Sequence, residues 1–263
     1  MNHPNKTRLF LILFFLGFSG TLSLLLLDIM AIAALLPHTI EVPTITPALR
    51  LLSVVQPTVI LILAILVGVA LAHRVGLAAP ATEALAAGGN VSQALKPQIV
   101  PGLAGGLLGG ASIVLISALS KPFLLPETID RISGFTKLMP LPTRLLYGGI
   151  TEELLLRWGF MTLIVWAAWR VLQKQRNTPS NACIAGGILI SSLVFGAGHL
   201  PVAYTLLPDS FSLALVLFVI LANSAFGLVA GYLYWKRGLE SAMIAHVFCH
   251  LVLAFASAAG AYF

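Results

Sequence analysis

Three short clusters of ionisable residues stand inside stretches that are otherwise apolar. They are Glu152-Glu153-Leu154-Leu155-Leu156-Arg157, Phe195-Gly196-Ala197-Gly198-His199 and His246-Val247-Phe248-Cys249-His250. A charge at the centre of a bilayer costs roughly 2.5–3.5 kcal/mol on insertion scales, so residues of this kind usually face a polar cavity and act there. Two carboxylates, one guanidinium and three imidazoles are enough for a hydrolytic site. A carboxylate or imidazole takes a proton from water, and N–H groups stabilise the oxyanion that forms on the attacked carbonyl.

The spacing within each cluster narrows the roles. Glu153 and Arg157 are four residues apart and share a helix face, which suits an ion pair. Glu152 projects about 100° away on an α-helix and is free to point elsewhere while its neighbour is neutralised. The bland alternative is a buried Glu–Arg pair that only locks two helices. His199 closes its apolar stretch just before Pro201, where a helix should end. Phe195, one turn earlier, would wall one side of a pocket, although a lone interfacial histidine is often structural. His246 and His250 stack on one face, where they would bind metal, donate to an oxyanion or bond neighbouring helices. Val247 follows His246, so the H-E-x-x-H zinc-protease signature is absent. A zinc site assembled from Glu152, His199, His246 and His250 on separate helices stays open on the residues alone.

Other polar residues carry less. Asn223 and Ser224 would either bond across helices or line a cavity, with packing the simpler role, and Asp28 belongs near a helix end. Cys183 and Cys249 form no Cys-rich metal framework, and no reactive-thiol context surrounds Cys249. Neither a G-x-S-x-G elbow nor a phosphate-binding glycine loop is found.

The elements that must position these clusters are membrane helices. The chain has 263 residues, 59% hydrophobic and 9% charged, with a mean hydropathy of +0.99. Soluble domains are about 25% charged, so a soluble fold is excluded. Seven stretches, near 9–35, 51–72, 99–119, 142–172, 182–200, 211–235 and 239–261, approach the ~20 residues of a span. The expected fold is a single all-α domain over residues 1–263, a polytopic helix bundle of seven or at most eight spans around a polar intramembrane cavity. The first stretch, preceded by Lys6 and Arg8, is longer than a signal-peptide core and reads as a retained anchor. Residues 74–98 read as a polar connection, and residues 120–141 as an interfacial helix or lid. Gly102, Gly106 and Gly110, with Gly105 and Gly109 beside them, and the pair Gly227 and Gly231 read as helix-packing surfaces.

The net charge of +6 is no nucleic-acid footprint, because the basic residues sit in short loops where they set topology. With the N-terminus inside, nine Lys and Arg fall inside and five outside, leaving Arg157 within a span. That bias favours a multi-pass cell-membrane protein with a cytoplasmic N-terminus.

Taken in order on successive spans, E-E-x-x-x-R, F-x-x-x-H and H-x-x-x-H resemble the CAAX-protease and bacteriocin-processing (CPBP) family, which includes the type II CAAX prenyl endopeptidases. The resemblance covers residues 142–252, and nothing specific is recognised in residues 1–140. It implies a glutamic-type intramembrane endopeptidase. Glu152, with His199, would activate water, Glu153 and Arg157 would orient the site, and His246 with His250 would stabilise the oxyanion. Asparagine is usual in the family where His250 stands, which opens titration or metal binding at that position. The implied mechanism needs no cofactor, and its partners are the bilayer and a peptide or a lipid-modified or membrane-anchored protein substrate. Two other classes compete: a non-catalytic peptide-binding, immunity or chaperone-like protein on the same scaffold, and a metal or proton transporter. The complete set of site residues favours the enzyme, and their concentration in three short motifs disfavours a transport path.

Overall fold

The protein is described by a computed structural model covering residues 5–36 and 46–262. Every regular element among these residues is helical. Seven helices are long and apolar enough to cross a membrane: Lys6–Leu26, Pro47–Val75, Val91–Phe123, Leu141–Leu172, Asn181–Leu206, Leu213–Lys236 and Leu239–Ala258. All seven expected spans are present. Leu63, Leu107, Leu119, Leu217 and Phe255 are exposed on the outside of the bundle, as residues facing lipid tails should be.

Three boundaries differ from the sequence expectation. The first span ends early, because the chain turns extended at Leu27 and Asp28 caps a short helix, Ile29–Ala33, by accepting from the Ala31 N–H at 3.0 Å. The third span starts at Val91, well inside the stretch read as a connection; Asn90 caps it and accepts from the Gln93 N–H. Polarity at Gln93, Lys96 and Gln98 hid these turns. Pro201 does not stop the fifth helix for good. A second helix, Leu200–Leu206, begins at His199 with the proline in its first turn, the position where a missing N–H costs nothing.

The fourth span lies at the centre of the bundle and packs on the first, second, fifth, sixth and seventh. It is held to the first span by polar bonds. Thr151 Oγ1 donates to the Gly17 carbonyl at 2.7 Å, and Thr143 Oγ1 donates to the Ser23 carbonyl at 2.8 Å. The third span wedges between the sixth and seventh through its glycines. A Cβ at Gly102, Gly106 or Gly110 would strike Ile244, Phe248 or Val252 of the seventh span, and at Gly105 or Gly109 it would strike Leu233 or Phe226 of the sixth. Small residues thus bring the backbones together, as the spacing predicts.

Most of the fourth span is wound as a wide π-helix, over Arg144–Glu152 and Leu154–Met161. The Thr162 N–H accordingly reaches back five residues to the Arg157 carbonyl. Widened turns of this kind collect at functional sites. The sequence reading assumed α-helical spacing, because over one or two turns an apolar pattern does not separate the two windings. In the wide turn both the fourth and the fifth residue onward are neighbours. Thr143, Arg144, Tyr147, Gly148 and Glu152 therefore line a single face.

Candidate active site

That face borders a cavity of about 390 Å³. Its walls come from the late parts of the first, third, fifth and seventh spans and the early parts of the fourth and sixth. The cavity accordingly occupies the half of the bundle away from the N-terminus. The interfacial helix Pro126–Leu138 covers it with Ile132, Phe135 and Thr136, and Arg131 Nη1 ties that helix to the Leu206 carbonyl at 3.3 Å.

Glu152, His199, His246 and His250 all line the cavity, whereas Glu153 and Arg157 do not. The latter two are fully buried behind its wall. Glu153 Oε2 is 3.3 Å from Arg157 Nε, an ion pair whose angle is too far off line for a hydrogen bond. Arg157 Nη2 donates to the Gly227 carbonyl at 3.1 Å, and the guanidinium lies 5.0 Å from the Phe195 ring centre. The sixth span comes this close because Gly227 presses on Ser192 of the fifth, where a Cβ would not fit.

The other oxygen of Glu153 reaches the cavity wall. Glu153 Oε1 is 2.7 Å from His246 Nδ1. A carboxylate only accepts, so Nδ1 carries the hydrogen and Nε2 is turned towards Glu152, 4.0 Å from its Oε2. His199 is fixed in the same tautomer by a different partner. Its Nδ1 lies 2.8 Å from the Phe195 carbonyl, which also only accepts, leaving Nε2 as the free nitrogen.

Aromatic rings hold the imidazoles at defined angles. Phe195 meets His199 edge-on at 4.9 Å and His246 edge-on at 5.8 Å, while Phe226 lies 4.3 Å from His246. His250 is stacked on His246, with ring centres 4.9 Å apart and planes 16° from parallel. Its far side packs on Gly148, where a side chain would collide with His250 Nε2. Neither ring nitrogen of His250 has a hydrogen-bond partner among the described residues.

No curated protein and no solved structure matches the chain. A family model does: residues 134–252 match the Type II CAAX prenyl endopeptidase Rce1-like family. Those residues, less than half of the chain, are similar to that family. They take in every member of the six-residue set and the end of the interfacial helix that covers the cavity. The Rce1-like proteins are a protease family, so the matched segment is that of a membrane-embedded peptidase at family level.

The Rce1-like segment also contains lining residues that motif reading missed. Tyr147 and Arg144 precede Glu152 by five and eight residues and share its face. Tyr147, at a five-residue step, follows the periodicity of a wide helix, whereas Arg144, two four-residue steps from Glu152, lay within reach of ordinary helical spacing. Asn223, read as packing, also lines the cavity; its Nδ2 donates to the Val219 carbonyl at 2.8 Å. Tyr262 follows the last span and joins the wall. Burial pushes its phenol up to about 12, with Arg144 pulling the other way, so at neutral pH it is a hydrogen-bond donor. Ser224 donates to the Ser192 carbonyl across helices, one of the roles its type left open. Among the described residues no three His, Cys, Asp or Glu side chains are grouped to hold a metal ion.

Proposed function

We propose that this protein is an intramembrane endopeptidase in which Glu152 activates the water that attacks a peptide or lipid-modified, membrane-associated protein. The observation that carries this reading is the division between the two adjacent glutamates. Glu153 is sealed against Arg157 and His246, while Glu152 stands in the cavity, where His246 Nε2 at 4.0 Å is its one ion-pair partner among the described residues.

Charge balance gives the mechanism its proton. With Glu152 and Glu153 ionised and Arg157 positive, the buried cluster is neutral when His246 is an imidazolium. Moving one proton from His246 to Glu152 leaves the sum unchanged. The mechanism starts from the first of these two forms. Glu152 as carboxylate takes a proton from water as the hydroxide oxygen bonds to the scissile carbonyl carbon. The carbonyl π-pair moves onto oxygen, and the Nε2–H of an imidazolium His246 donates to that oxyanion. When the tetrahedral intermediate collapses, the C–N bond breaks and the proton on Glu152 passes to the leaving amine.

His199, with Nε2 free, accepts from the attacking water and orients it. His250 supplies a further N–H from whichever ring nitrogen faces the oxyanion. Preorganised donors of this kind are worth about 10²–10³ in rate each. A lipid-facing bundle with ionisable side chains lining a partly open cavity suits hydrolysis inside a membrane, where irregular or polar groups must line a cavity.

The bias of Lys and Arg supports an N-terminus in the cytoplasm of a cell-membrane protein. The cavity would then open in the opposite half. The test compares peptide termini in membranes carrying the wild-type chain with those carrying Glu152→Gln at equal folded amounts. Termini that depend on Glu152 are the expected result. Identical termini in both membranes would remove the protease reading and leave a peptide-binding protein.

A further inference from the structure

Three of the interior or cavity-bordering arginines differ in how their charge is met. Arg157 has Glu153, and Arg131 has Glu127 at 2.6 Å. Arg144 lines the cavity, yet among the described residues no carboxylate lies within ion-pair distance of it. Its Nη2 makes one long contact, 3.5 Å to the His250 carbonyl. A guanidinium has five N–H donors, so most of its donor capacity is not taken up by that contact. The wall around it is otherwise formed largely by Leu, Ile, Val and Phe side chains.

An ionisable residue kept inside a membrane domain without a structural counter-charge marks a ligand or transport function by default. The planar fork of arginine matches a carboxylate with two parallel N–H···O bonds. Arg144 shares a helix face with Glu152, eight residues further on. At about 1.5 Å per residue or less, the two are no more than ~12 Å apart along the helix axis. An extended peptide covers that distance in three or four residues at about 3.3 Å each.

We propose that Arg144 is a specificity residue that holds a carboxylate of the bound peptide, a few residues from the bond presented to Glu152. Either the peptide's own C-terminal carboxylate or an Asp or Glu side chain at that distance supplies the group. Tyr262, a neutral donor at the same wall, stands beside it. The inference rests on the peptidase reading for its substrate class. Its site, a guanidinium on the cavity wall, does not depend on cleavage.

The competing role for Arg144 is an anchor that snorkels to lipid phosphate near the start of its span. Binding separates the two roles. Full-length Glu152→Gln protein in lipid nanodiscs is exposed to three pools of randomised apolar octapeptides: free C-terminal acids, C-terminal amides, and amides carrying one Asp. Retained peptides are counted by mass spectrometry. The same pools are offered to Glu152→Gln proteins that also carry Arg144→Gln or Arg144→Lys.

The expected result is at least about tenfold enrichment of one carboxylate-bearing pool over plain amides. Arg144→Gln should abolish that enrichment and Arg144→Lys should partly keep it. Enrichment of free acids identifies the C-terminal carboxylate as the ligand, and enrichment of Asp peptides identifies an acidic side chain. Equal retention of all pools, no retention of any, or enrichment that survives Arg144→Gln overturns the proposal. Carboxylate enrichment together with unchanged membrane termini in the Glu152 comparison would sink the peptidase reading alone.

Discussion

Glu152 and Glu240 are both carboxylates on membrane-spanning helices, and they occupy opposite halves of the bundle. Glu240, in the first turn of the seventh span, is 8% exposed. Its Oε1 accepts from both the N–H and the hydroxyl of Thr82, each at 2.8 Å. The next residue is clamped as well: Ser241 donates its N–H to Gln98 Oε1 at 3.0 Å and its hydroxyl to the Gln98 carbonyl at 3.2 Å. None of these four residues lines the cavity that holds Glu152, and the cluster ties the short helix Pro80–Ala86 and the third span to the seventh. Among the described residues no hydrogen-bond donor fixes Glu152, which lines the cavity. A buried carboxylate held by rigid donors is a clamp, while one left facing a cavity is available as a reagent. Glu153 stands between the two cases, clamped by Arg157 but passing its other oxygen to a cavity imidazole.

The largest effect should come from the reagent. Glu152→Gln removes the base with almost no change in shape, so turnover should fall by about 10²–10⁴-fold. The melting temperature in detergent should stay within a few degrees of wild type. A loss of activity that tracks a loss of folded protein would place Glu152 with the clamps and break the contrast. Cleavage assay and thermal melt on the same sample decide it.

Arg157→Met should do the reverse. It removes the guanidinium paired with Glu153 and leaves the buried cluster one positive charge short, a change that usually costs about 3–5 kcal/mol. Loss of folded protein should dominate, visible as a fall in melting temperature and in yield from the membrane. Normal stability with lost activity would mean that Arg157 acts on chemistry directly instead of through Glu153.

Much of this contrast was legible in the sequence. The four-residue spacing of Glu153 and Arg157 gave the ion pair, and adjacency alone sent Glu152 to a different face. The seven spans followed from apolar length, and the glycine repeats marked the contacts of the third span. Three things were hidden for physical reasons. The polar first turns of the third span lie at a bundle end, where hydropathy does not report a helix. The wide winding of the fourth span hid Tyr147, which reaches the face of Glu152 only by a five-residue step. The clamp at Glu240 depends on Thr82, 158 positions away in sequence, and no local pattern announces a contact at that separation.

Glu240→Ala tests the other pole directly. Hydrogen bonds to a charged acceptor contribute about 1.5–3 kcal/mol each, less what a relaxed site recovers. The variant should melt several degrees lower, while turnover per folded molecule stays within about twofold of wild type. A tenfold drop in turnover at full stability would connect this end of the seventh span to the cavity and weaken the separation of roles.

The smallest and most informative change concerns His250. It sits one turn beyond His246, stacked on it, with Gly148 leaving just enough room for its ring. If His250 serves as an oxyanion donor, any N–H at that place should suffice. His250→Asn should then keep turnover within about tenfold, since an amide also donates. His250→Ala should lose about 10²-fold or more, the cost of a missing donor. Gly148→Ala supplies the complementary disturbance, because the added methyl strikes His250 Nε2 and pushes the ring without removing it. It should fall between the other two, lowering kcat while leaving KM within about twofold. Equal and complete loss in His250→Asn and His250→Ala would show that the imidazole itself is required, for proton transfer or for a metal. Metal content measured on the purified wild-type and His250→Asn proteins then separates those two cases.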